Sequence, residues 1–225
     1  MLKVYYSKVC PFSRKARSIL NEKKVDFRLI EVKYWERGDD FLSLNPAAET
    51  PVLVLQDGSV ISSNYAIFEY IEAEFTERSM FTNDKIKDAC IRRVCSWFDK
   101  KFYDEVTRYI LSEKILKIVD RSNIHSMPNS AAIRAAKKNI LYHLDYISFL
   151  LQEEHYLCGS HVTLADYAAA AQLSILDMVN DVPWEHSKKT KSWYALIKSR
   201  SSFRSVLLDD VQHIMPPSHY LDPDF

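Results

Sequence analysis

A cysteine followed by a proline, Cys10 and Pro11, is the pair of residues that most directly suggests chemistry. The pair lies between an apolar run, Leu2 to Tyr6, and a stretch rich in good helix formers, Arg14 to Lys24. Proline is tolerated in the first turn of a helix because the N–H that it lacks would have no partner there. We therefore expect a strand, a turn and a helix, with Cys10 at the helix N-terminus, where free N–H groups and the macrodipole favour a thiolate.

The residues that follow Cys10 bear on its reactivity. Arg14 and Lys15 lie one helical turn further on and are expected to add positive potential beside the sulfur. Ser13 stands where a dithiol motif has its second cysteine, so the turn carries one thiol, and Cys10 and Ser13 are the candidate catalytic residues. The alternative is that Cys10 is a small apolar residue at a helix start with no chemistry.

The segments around this turn predict an α/β unit. After the first helix, hydrophobic alternation and turn residues predict a strand, a loop, a helical turn, a strand, a hairpin turn, a brief strand and a helix. These are, in order, Val25 to Val32, Tyr34 to Asp40, Phe41 to Leu44, Thr50 to Leu55, Asp57-Gly58, Val60-Ile61 and Asn64 to Glu74. The order is that of a thioredoxin-like domain, with Cys10 after its first strand.

The second half of the chain is predicted to be helical. Apolar residues step by three and four from Ile91 to Ile110 and from Ile133 to Leu151, which predicts two amphipathic helices that pack antiparallel. Thr163 is expected to cap a buried central helix, with Asp166 as its capping-box partner and not as a catalytic acid. Two short helices, Trp193 to Lys198 and Phe203 to Leu208, are expected to follow.

The composition limits the possible functions. Lysine plus arginine and aspartate plus glutamate both number 30, so nothing in the net charge favours a nucleic-acid partner. The four cysteines and seven histidines show no metal-ligand spacing, so no metal is expected and the histidines are assigned to the surface. The N-terminus lacks a signal-peptide core, and no run approaches the roughly 18 apolar residues that span a bilayer. We expect a cytoplasmic protein without membrane insertion.

Four motifs resemble those of the cytosolic glutathione transferase superfamily. They are Cys10-Pro11-Phe12-Ser13, Asn45-Pro46 with Thr50-Pro51-Val52-Leu53, Ser63-Asn64-Tyr65-Ala66-Ile67 and Thr163-Leu164-Ala165-Asp166. The first also resembles the active-site turn of glutaredoxins and of Cys-type glutathione transferases, where a single thiol suits a mixed disulfide with glutathione. The resemblance implies the glutathione transferase fold, an α/β thioredoxin-like N-terminal domain plus an all-α C-terminal domain.

The resemblance also implies domain bounds and a binding site. The expected parts are a thioredoxin-like domain at 1–76, a linker at 77–84, a helical domain at 85–208 and an extended acidic tail at 209–225. Pro51 would be cis, Thr50 would offer its backbone to glutathione, and Ser63 and Asn64 would hold the γ-glutamyl end. These four residues are the candidate glutathione-binding set.

One motif departs from the family pattern. The family usually has an acidic residue followed by serine where this chain has Ser63 and Asn64. The helix N-terminus remains a site for the ligand carboxylate, but the carboxylate that would pair with the ligand ammonium is missing. Loss of a charge-assisted hydrogen bond of about 1.5–3 kcal/mol would weaken binding roughly tenfold to a hundredfold. Glutathione is therefore expected to bind weakly or not at all.

A narrower resemblance covers nearly the whole chain. It rests on the runs Trp97 to Tyr103, Leu144 to Ile147 and Asp181 to Trp184, and on the ending with Pro216-Pro217, His219-Tyr220 and Asp222 to Phe225. These segments are similar to a family of glutathione-transferase-like division proteins of alphaproteobacteria that bind FtsZ filaments. The similarity implies a homodimer at the division site that binds FtsZ polymer, with the acidic tail contacting other division proteins.

Two functions of different classes follow. In the first, the chain is a dimeric division factor that binds FtsZ and makes little use of glutathione. In the second, it is a glutathione-dependent transferase or thiol oxidoreductase with Cys10 as the thiolate and Thr50, Pro51 and Asn64 as the glutathione site. The tail favours binding, whereas the Cys10 turn favours chemistry.

Overall fold

The N-terminal half of the chain forms a four-stranded sheet with helices packed against it. The computed structural model describes residues 1–120 and 127–222. The elements of this half are β1 (Leu2–Tyr6), α1 (Pro11–Glu22), β2 (Phe27–Glu31), a 3-10 turn (Tyr34–Glu36), α2 (Asp39–Leu44), β3 (Val52–Val54), β4 (Val60–Ile61) and α3 (Asn64–Glu74). The predicted α/β order is therefore confirmed.

The sheet has the order β2-β1-β3-β4. The central strand β1 runs parallel to β2 and antiparallel to β3, so that Val4 faces Leu29 on one side and Leu53 on the other. This mixed sheet is the thioredoxin-like arrangement. It brings the end of β1, the start of α1 and the segment before β3 to one edge, where Cys10 lies.

The second half is helical across its described residues. Its elements are α4 (Lys85–Ser96), a π-helical segment (Trp97–Thr107), α5 (Arg108–Ile110), a second π-helical segment (Leu111–Leu116), α6 (Lys117–Val119), α7 (Ser130–Leu150), α8 (Leu164–Asp177), α9 (Lys188–Lys198) and α10 (Ser201–Leu207), with 3-10 turns at Trp184–His186 and Ser218–Tyr220. Among the described helices, none is long and apolar enough to cross a bilayer. The two predicted amphipathic helices are confirmed.

One hydrophobic core joins the two halves. Helix α1 packs against α8 and α10, so the helix that follows Cys10 is buried between the sheet and the helical half. Charged side chains at this junction are paired: Arg17 with Asp209 at 2.5 Å, and Arg200 with Glu22 at 2.5 Å. Nearly the whole of α8 is buried, as its small apolar residues predict. The exact domain bounds stay a prediction.

The capping box at the start of α8 is confirmed. Asp166 accepts hydrogen bonds from the N–H and the hydroxyl of Thr163, at 2.8 and 3.0 Å. Its other oxygen accepts from the N–H of Leu157 and from the indole of Trp193, both at 2.9 Å. Because all four bonds hold the chain together, Asp166 is a structural residue.

Two local predictions need correction. The segment 34–40, predicted as a loop, contains the 3-10 turn, and α2 begins at Asp39 because Asp39 and Asp40 suit the positive end of a helix. The histidines are not all at the surface, since His143 is fully buried between Trp97 and Glu105.

The C-terminal segment is more closely packed than its sequence predicts. Residues 209–217 contain no helix or strand, as expected, but Ser218–Tyr220 form a turn and Tyr220 is buried. The Tyr220 hydroxyl accepts a hydrogen bond from Arg14 at 2.7 Å, and His219 contacts Asp177 at 2.9 Å. The segment is thus anchored on the fold instead of extending freely. The last three residues of the predicted tail, 223–225, lie outside the described residues.

Candidate functional site

A cleft of about 480 Å³ lies between the sheet edge that carries Cys10 and the first π-helical segment. It brings together five predicted site residues: Cys10, Thr50, Pro51, Ser63 and Asn64. The remaining lining residues come from both halves of the chain: Pro11, Phe12, Tyr34, Ala48, Glu49, Asp99, Lys100, Tyr103, Asp104 and Leu111. The cleft is therefore closed on one side by sheet-half residues and on the other by helical-half residues.

Cys10 is the N-cap residue of α1, as predicted, but its thiol is buried. Its Sγ donates a hydrogen bond to the carbonyl of Thr50 at 3.1 Å, a bond that only the protonated thiol can make. Burial raises the pKa of the Cys10 thiol, and opposing hydrogen bonds from Thr50 and Ser13 do not reverse that direction. At neutral pH the group is a thiol.

The two cations expected to favour a thiolate are held elsewhere. The Arg14 guanidinium donates to the Lys8 carbonyl at 3.0 Å and to the Ser174 hydroxyl at 3.0 Å, in the junction with α8. The Lys15 ammonium pairs with a carboxylate, Asp99, at 2.6 Å. The prediction of a thiolate supported by Arg14 and Lys15 is therefore wrong. Lys15 is paired with a carboxylate, and the Arg14 guanidinium binds acceptors in the junction with α8.

Ser13 supports the turn and does not line the cleft. Its side chain is buried, and its hydroxyl oxygen accepts a hydrogen bond from the N–H of Ser7 at 3.2 Å. This bond joins the end of β1 to the first turn of α1 and so fixes the position of Cys10. A catalytic part for Ser13 stays a prediction.

Thr50 and Pro51 form the floor of the cleft beside the thiol. The peptide bond between them is cis, as the family resemblance implies. Both residues are buried, and the Thr50 carbonyl already accepts from Cys10.

The N-terminus of α3 forms the end of the cleft. Ser63 is exposed, has a φ of 77°, and its side chain makes no capping hydrogen bond. Asn64 reaches across the cleft, where its Nδ2 donates to Oδ2 of Asp99 at 2.9 Å. The same carboxylate oxygen pairs with Lys15, whose ammonium also lies 3.9 Å from the ring centroid of Phe68. A carboxylate from the helical half thus lies beside Asn64, next to the two positions where the family usually has an acidic residue followed by serine.

The opposite end of the cleft is aromatic. The rings of Phe12 and Tyr103 lie 4.9 Å apart, and Tyr34 completes the wall. Burial raises the pKa of Tyr103 to about 12 and that of Tyr34 further in the same direction, so both hydroxyls stay protonated. This end can take an apolar or aromatic group. The strand residues Tyr5 and Tyr6 contact Phe41 and Arg17 instead of lining the cleft.

Sequence reasoning missed Asp99 and the position of Lys15. Asp99 lies in the middle of a helix 35 residues after Asn64, and only the packing of the two halves brings them together. The one signal for Asp99 in the sequence is that this charged residue directly follows Phe98, in a helix whose neighbouring apolar residues are buried. In the part of the chain that the structure describes, no cluster of three or more His, Cys, Asp or Glu side chains could hold a metal.

Two family models match the chain. Residues 9–74 match the glutathione S-transferase N-terminal domain, and residues 106–200 match the glutathione S-transferase C-terminal domain. Together they include the Cys10 turn, the cis-proline, the start of α3 and the central helix α8. The match agrees with the sheet topology and the cleft described above.

Some proteins are similar to the chain over nearly its whole length, beyond the two family domains. The chain is 41% identical to FtsZ-localized protein A of Caulobacter vibrioides over 218 residues, which covers 96% of this chain and 94% of the relative. The solved structure of FzlA from C. crescentus covers 100% of this chain and 99% of its own, with 40% identity and a TM-score of 0.94. A glutathione S-transferase structure from Rhodospirillum rubrum F11 covers all of both chains with 42% identity and a TM-score of 0.95.

Proposed function

The chain belongs to the glutathione S-transferase family, and we propose that within this family it is an FtsZ-associated division factor and not a transferase. The observation that carries the proposal is the full-length similarity to FtsZ-localized protein A, at 41% identity over 96% of this chain. The relative's name ties it to FtsZ. The likeness extends from the sheet half through the anchored C-terminal segment, so it is not confined to the domains shared by all transferases.

The cleft chemistry supports a binding function over turnover. The Cys10 thiol is buried, protonated and bonded to the Thr50 carbonyl, whereas thiol transfer needs a thiolate that an incoming sulfur can reach. The two cations one helical turn after Cys10, Arg14 and Lys15, bind other groups. We propose that glutathione binds weakly and that turnover is not the main role.

A second candidate is glutathione-dependent thiol transfer. It is favoured by one specific observation, the gathering of Cys10, Thr50, cis-Pro51 and the α3 N-terminus in one cleft. In this function, Cys10 would lose its proton on ligand binding and attack a disulfide sulfur, releasing the other sulfur as a thiolate. The two candidates differ in whether the protein depends on the Cys10 sulfur.

We propose a homodimer as the active form at the division site. Exposed aromatic side chains on α3 and on α7 support this, since Tyr65, Tyr142 and Phe149 are each more than half exposed. Two copies would place two FtsZ contacts on one particle, and the second contact would then be intramolecular and raise the overall avidity. Light scattering of the purified protein should give twice the 26.3 kDa chain mass.

Co-sedimentation with FtsZ polymer tests the main proposal. The wild-type protein and Cys10→Ser are both expected to pellet with polymer and to stay in solution with unpolymerised FtsZ. Cys10→Ser is the matched control because it keeps the residue's size and its polar hydrogen. Absence of wild-type protein from the polymer pellet would exclude the division-factor proposal. Normal division in cells that carry only Cys10→Ser would exclude thiol transfer as the main role.

A further inference from the structure

Two free thiols lie near each other in the helical half, outside the set of residues that line the cleft. Cys90 is exposed on α4, and Cys158 is partly buried in the segment that leads into α8. Helix α4 packs against α8. Ala89, next to Cys90, and Leu164, the first residue of α8, line one groove of about 550 Å³. The fold therefore brings together two cysteines that are distant in the sequence.

Arg93 connects the two thiols. It follows Cys90 by three positions, so the two side chains lie on the same face of α4. Its guanidinium interacts with the Cys90 sulfur and donates to the Tyr146 hydroxyl at 2.9 Å, which ties it to α7. The Cys158 thiol is an electrostatic neighbour of both Cys90 and Arg93. A single cation thus faces both sulfurs.

The turn that carries Cys158 is tied to the start of α8. The backbone groups of Tyr156 and Gly159 exchange two hydrogen bonds, at 3.0 and 3.4 Å, so Cys158 lies inside a tight turn. The N–H of Leu157 donates to the buried carboxylate of Asp166 at 2.9 Å. Because α8 packs against α4, these bonds hold Cys158 on the α4 side of the fold.

The two thiols differ in access and in acidity. Cys90 is exposed, so a small reagent in solvent can reach its sulfur. Burial raises the pKa of the Cys158 thiol to about 12, and the charge of Arg93 opposes that shift. A thiol of high pKa reacts slowly with a reagent from solvent. It reacts far better with a sulfur that is held beside it, because the effective concentration is then high.

We propose that Cys90 and Cys158 form a thiol–disulfide pair oxidised by low-molecular-weight disulfides, with Cys90 as the attacking thiol and Cys158 as the resolving thiol. First, Cys90 loses its proton to solvent and attacks one sulfur of the reagent, whose other sulfur leaves as a thiolate and is protonated. Cys158 then loses its proton to solvent and attacks the Cys90 sulfur, which expels the second thiolate. The two cysteines are oxidised to a disulfide, and the reagent is reduced to two thiols.

The disulfide would join α4 to the turn before α8. A disulfide holds its two Cα atoms within about 7 Å, so its formation fixes the turn against the helix. It also closes a long loop of the chain, which restricts the unfolded state. The oxidised protein should therefore unfold at a higher urea concentration than the reduced protein. The inference goes beyond the FtsZ association and does not depend on it.

The test treats the reduced full chain, freed of reductant, with hydroxyethyl disulfide. This reagent has no γ-glutamyl group, so its reaction does not depend on the candidate glutathione site. Mass spectrometry of the intact chain should show the gain of one hydroxyethylthio group and then its loss, which leaves the chain two hydrogen atoms lighter than at the start. Peptide mapping without reductant should then recover Cys90 joined to Cys158.

Variants assign the two steps. Cys158→Ser should stop at the mixed disulfide, and Cys90→Ser should form the mixed disulfide roughly tenfold more slowly or less. Arg93→Gln should slow the second step about threefold or more, since the charge that favours the Cys158 thiolate is lost, and Arg93→Lys should restore the rate. Arg92→Gln is the matched control, because it removes the same charge from the next position, where Arg92 pairs with Glu69 at 3.3 Å. It should leave both rates unchanged.

The result with the wild type decides the proposal without any variant, so a variant that fails to fold does not weaken the test. The proposal is overturned if the wild type does not react, if it stops at the mixed disulfide, or if Cys90 forms a disulfide between two chains instead. It is also overturned if Cys158→Ser still loses the added group, since another cysteine would then be the resolving thiol.

Discussion

At the scale of single residues, burial decides the chemistry of the side chains that matter. Cys10 and His143 are both buried, and burial favours the neutral form of each side chain. It raises the pKa of the Cys10 thiol and lowers the pKa of the His143 imidazole. Neither effect is visible in the sequence, where Cys10 at a helix start indicates a low pKa and His143 is a polar residue on a helix. Each of the two pKa shifts can be tested by a measurement.

Alkylation should modify Cys90 before Cys10. Cys90 is exposed, whereas Cys10 is buried and its pKa is raised, so its thiolate fraction at pH 7.5 is small. With iodoacetamide, Cys10 is expected to react roughly tenfold or more slowly than Cys90, and its rate should still rise above pH 9. Peptide mass spectrometry over time measures both rates. Cys90→Ser serves as the control for site assignment, and faster labelling of Cys10 would contradict the buried-thiol description.

Protonation of His143 at acidic pH should lower the stability of the folded state. Its Nδ1 accepts from the Trp97 indole at 3.0 Å, and its Nε2 lies 3.1 Å from Glu105, so the neutral ring fits the site. The folded pKa is below the unfolded value, so the unfolded state binds more protons as the pH falls below about 6.5. Stability is therefore lost as the pH falls through that window.

A pH series of urea denaturation on the wild type and His143→Gln tests this. At pH 7.5 the variant should be less stable by about 1–3 kcal/mol, because a buried partner of Trp97 is changed. The difference should shrink toward pH 5, since only the wild type acquires a proton penalty. His155→Gln is a matched control on an exposed histidine. A constant difference across the series would contradict the assignment.

At the scale of elements, the positions of the strands and helices and the sheet-half side of the cleft were predictable, but the helical-half side of the cleft was not. Alternation in the second strand, predicted at Val25 to Val32, and the three-four spacing of Ile91 to Ile110 are patterns that are local in the sequence. Asp99 is different, because its contact with Asn64 depends on how a helix of one half docks against a helix start of the other. Long-range packing of this kind leaves no local pattern.

Asp166 should be the costliest polar residue to remove in α8. It accepts from three separate places, Leu157, Thr163 and Trp193, so its loss leaves several buried donors unpaired. Asp166→Ala is expected to reduce the free energy of unfolding by about 3–5 kcal/mol, as for other broken buried charged networks. Thr163→Val, which removes one of the bonds, should cost about 1 kcal/mol. Urea denaturation measures both, and equal effects would contradict the network.

At the scale of the whole molecule, the two halves and the C-terminal segment share one set of buried contacts. The family fold could be recognised from four motifs because they lie at positions that every such fold needs. The burial of Tyr220 could not, since a segment with two prolines and no periodicity carries no packing signal. Tyr220 is one of several acceptors of the buried Arg14 guanidinium, and this long-range bond leaves no local pattern in the sequence.

Removal of the Tyr220 ring should therefore destabilise the whole protein. Tyr220→Ala is expected to reduce the free energy of unfolding by about 3 kcal/mol or more, from the loss of a buried aromatic and of an acceptor for Arg14. Met215→Ala, which removes an exposed side chain of the same segment, should change it by less than about 0.5 kcal/mol. Similar effects for the two variants would show that the C-terminal segment is not anchored.

The bond between Arg14 and Tyr220 joins residues 206 positions apart, so it bears on how the protein is made. The ribosome synthesises the sheet half long before Tyr220. During that interval the Arg14 guanidinium lacks the Tyr220 hydroxyl as an acceptor. Contacts between distant positions slow folding, because the intervening chain must be ordered first. The first helix of the nascent N-terminal half therefore reaches its final packing only after Tyr220 has been synthesised.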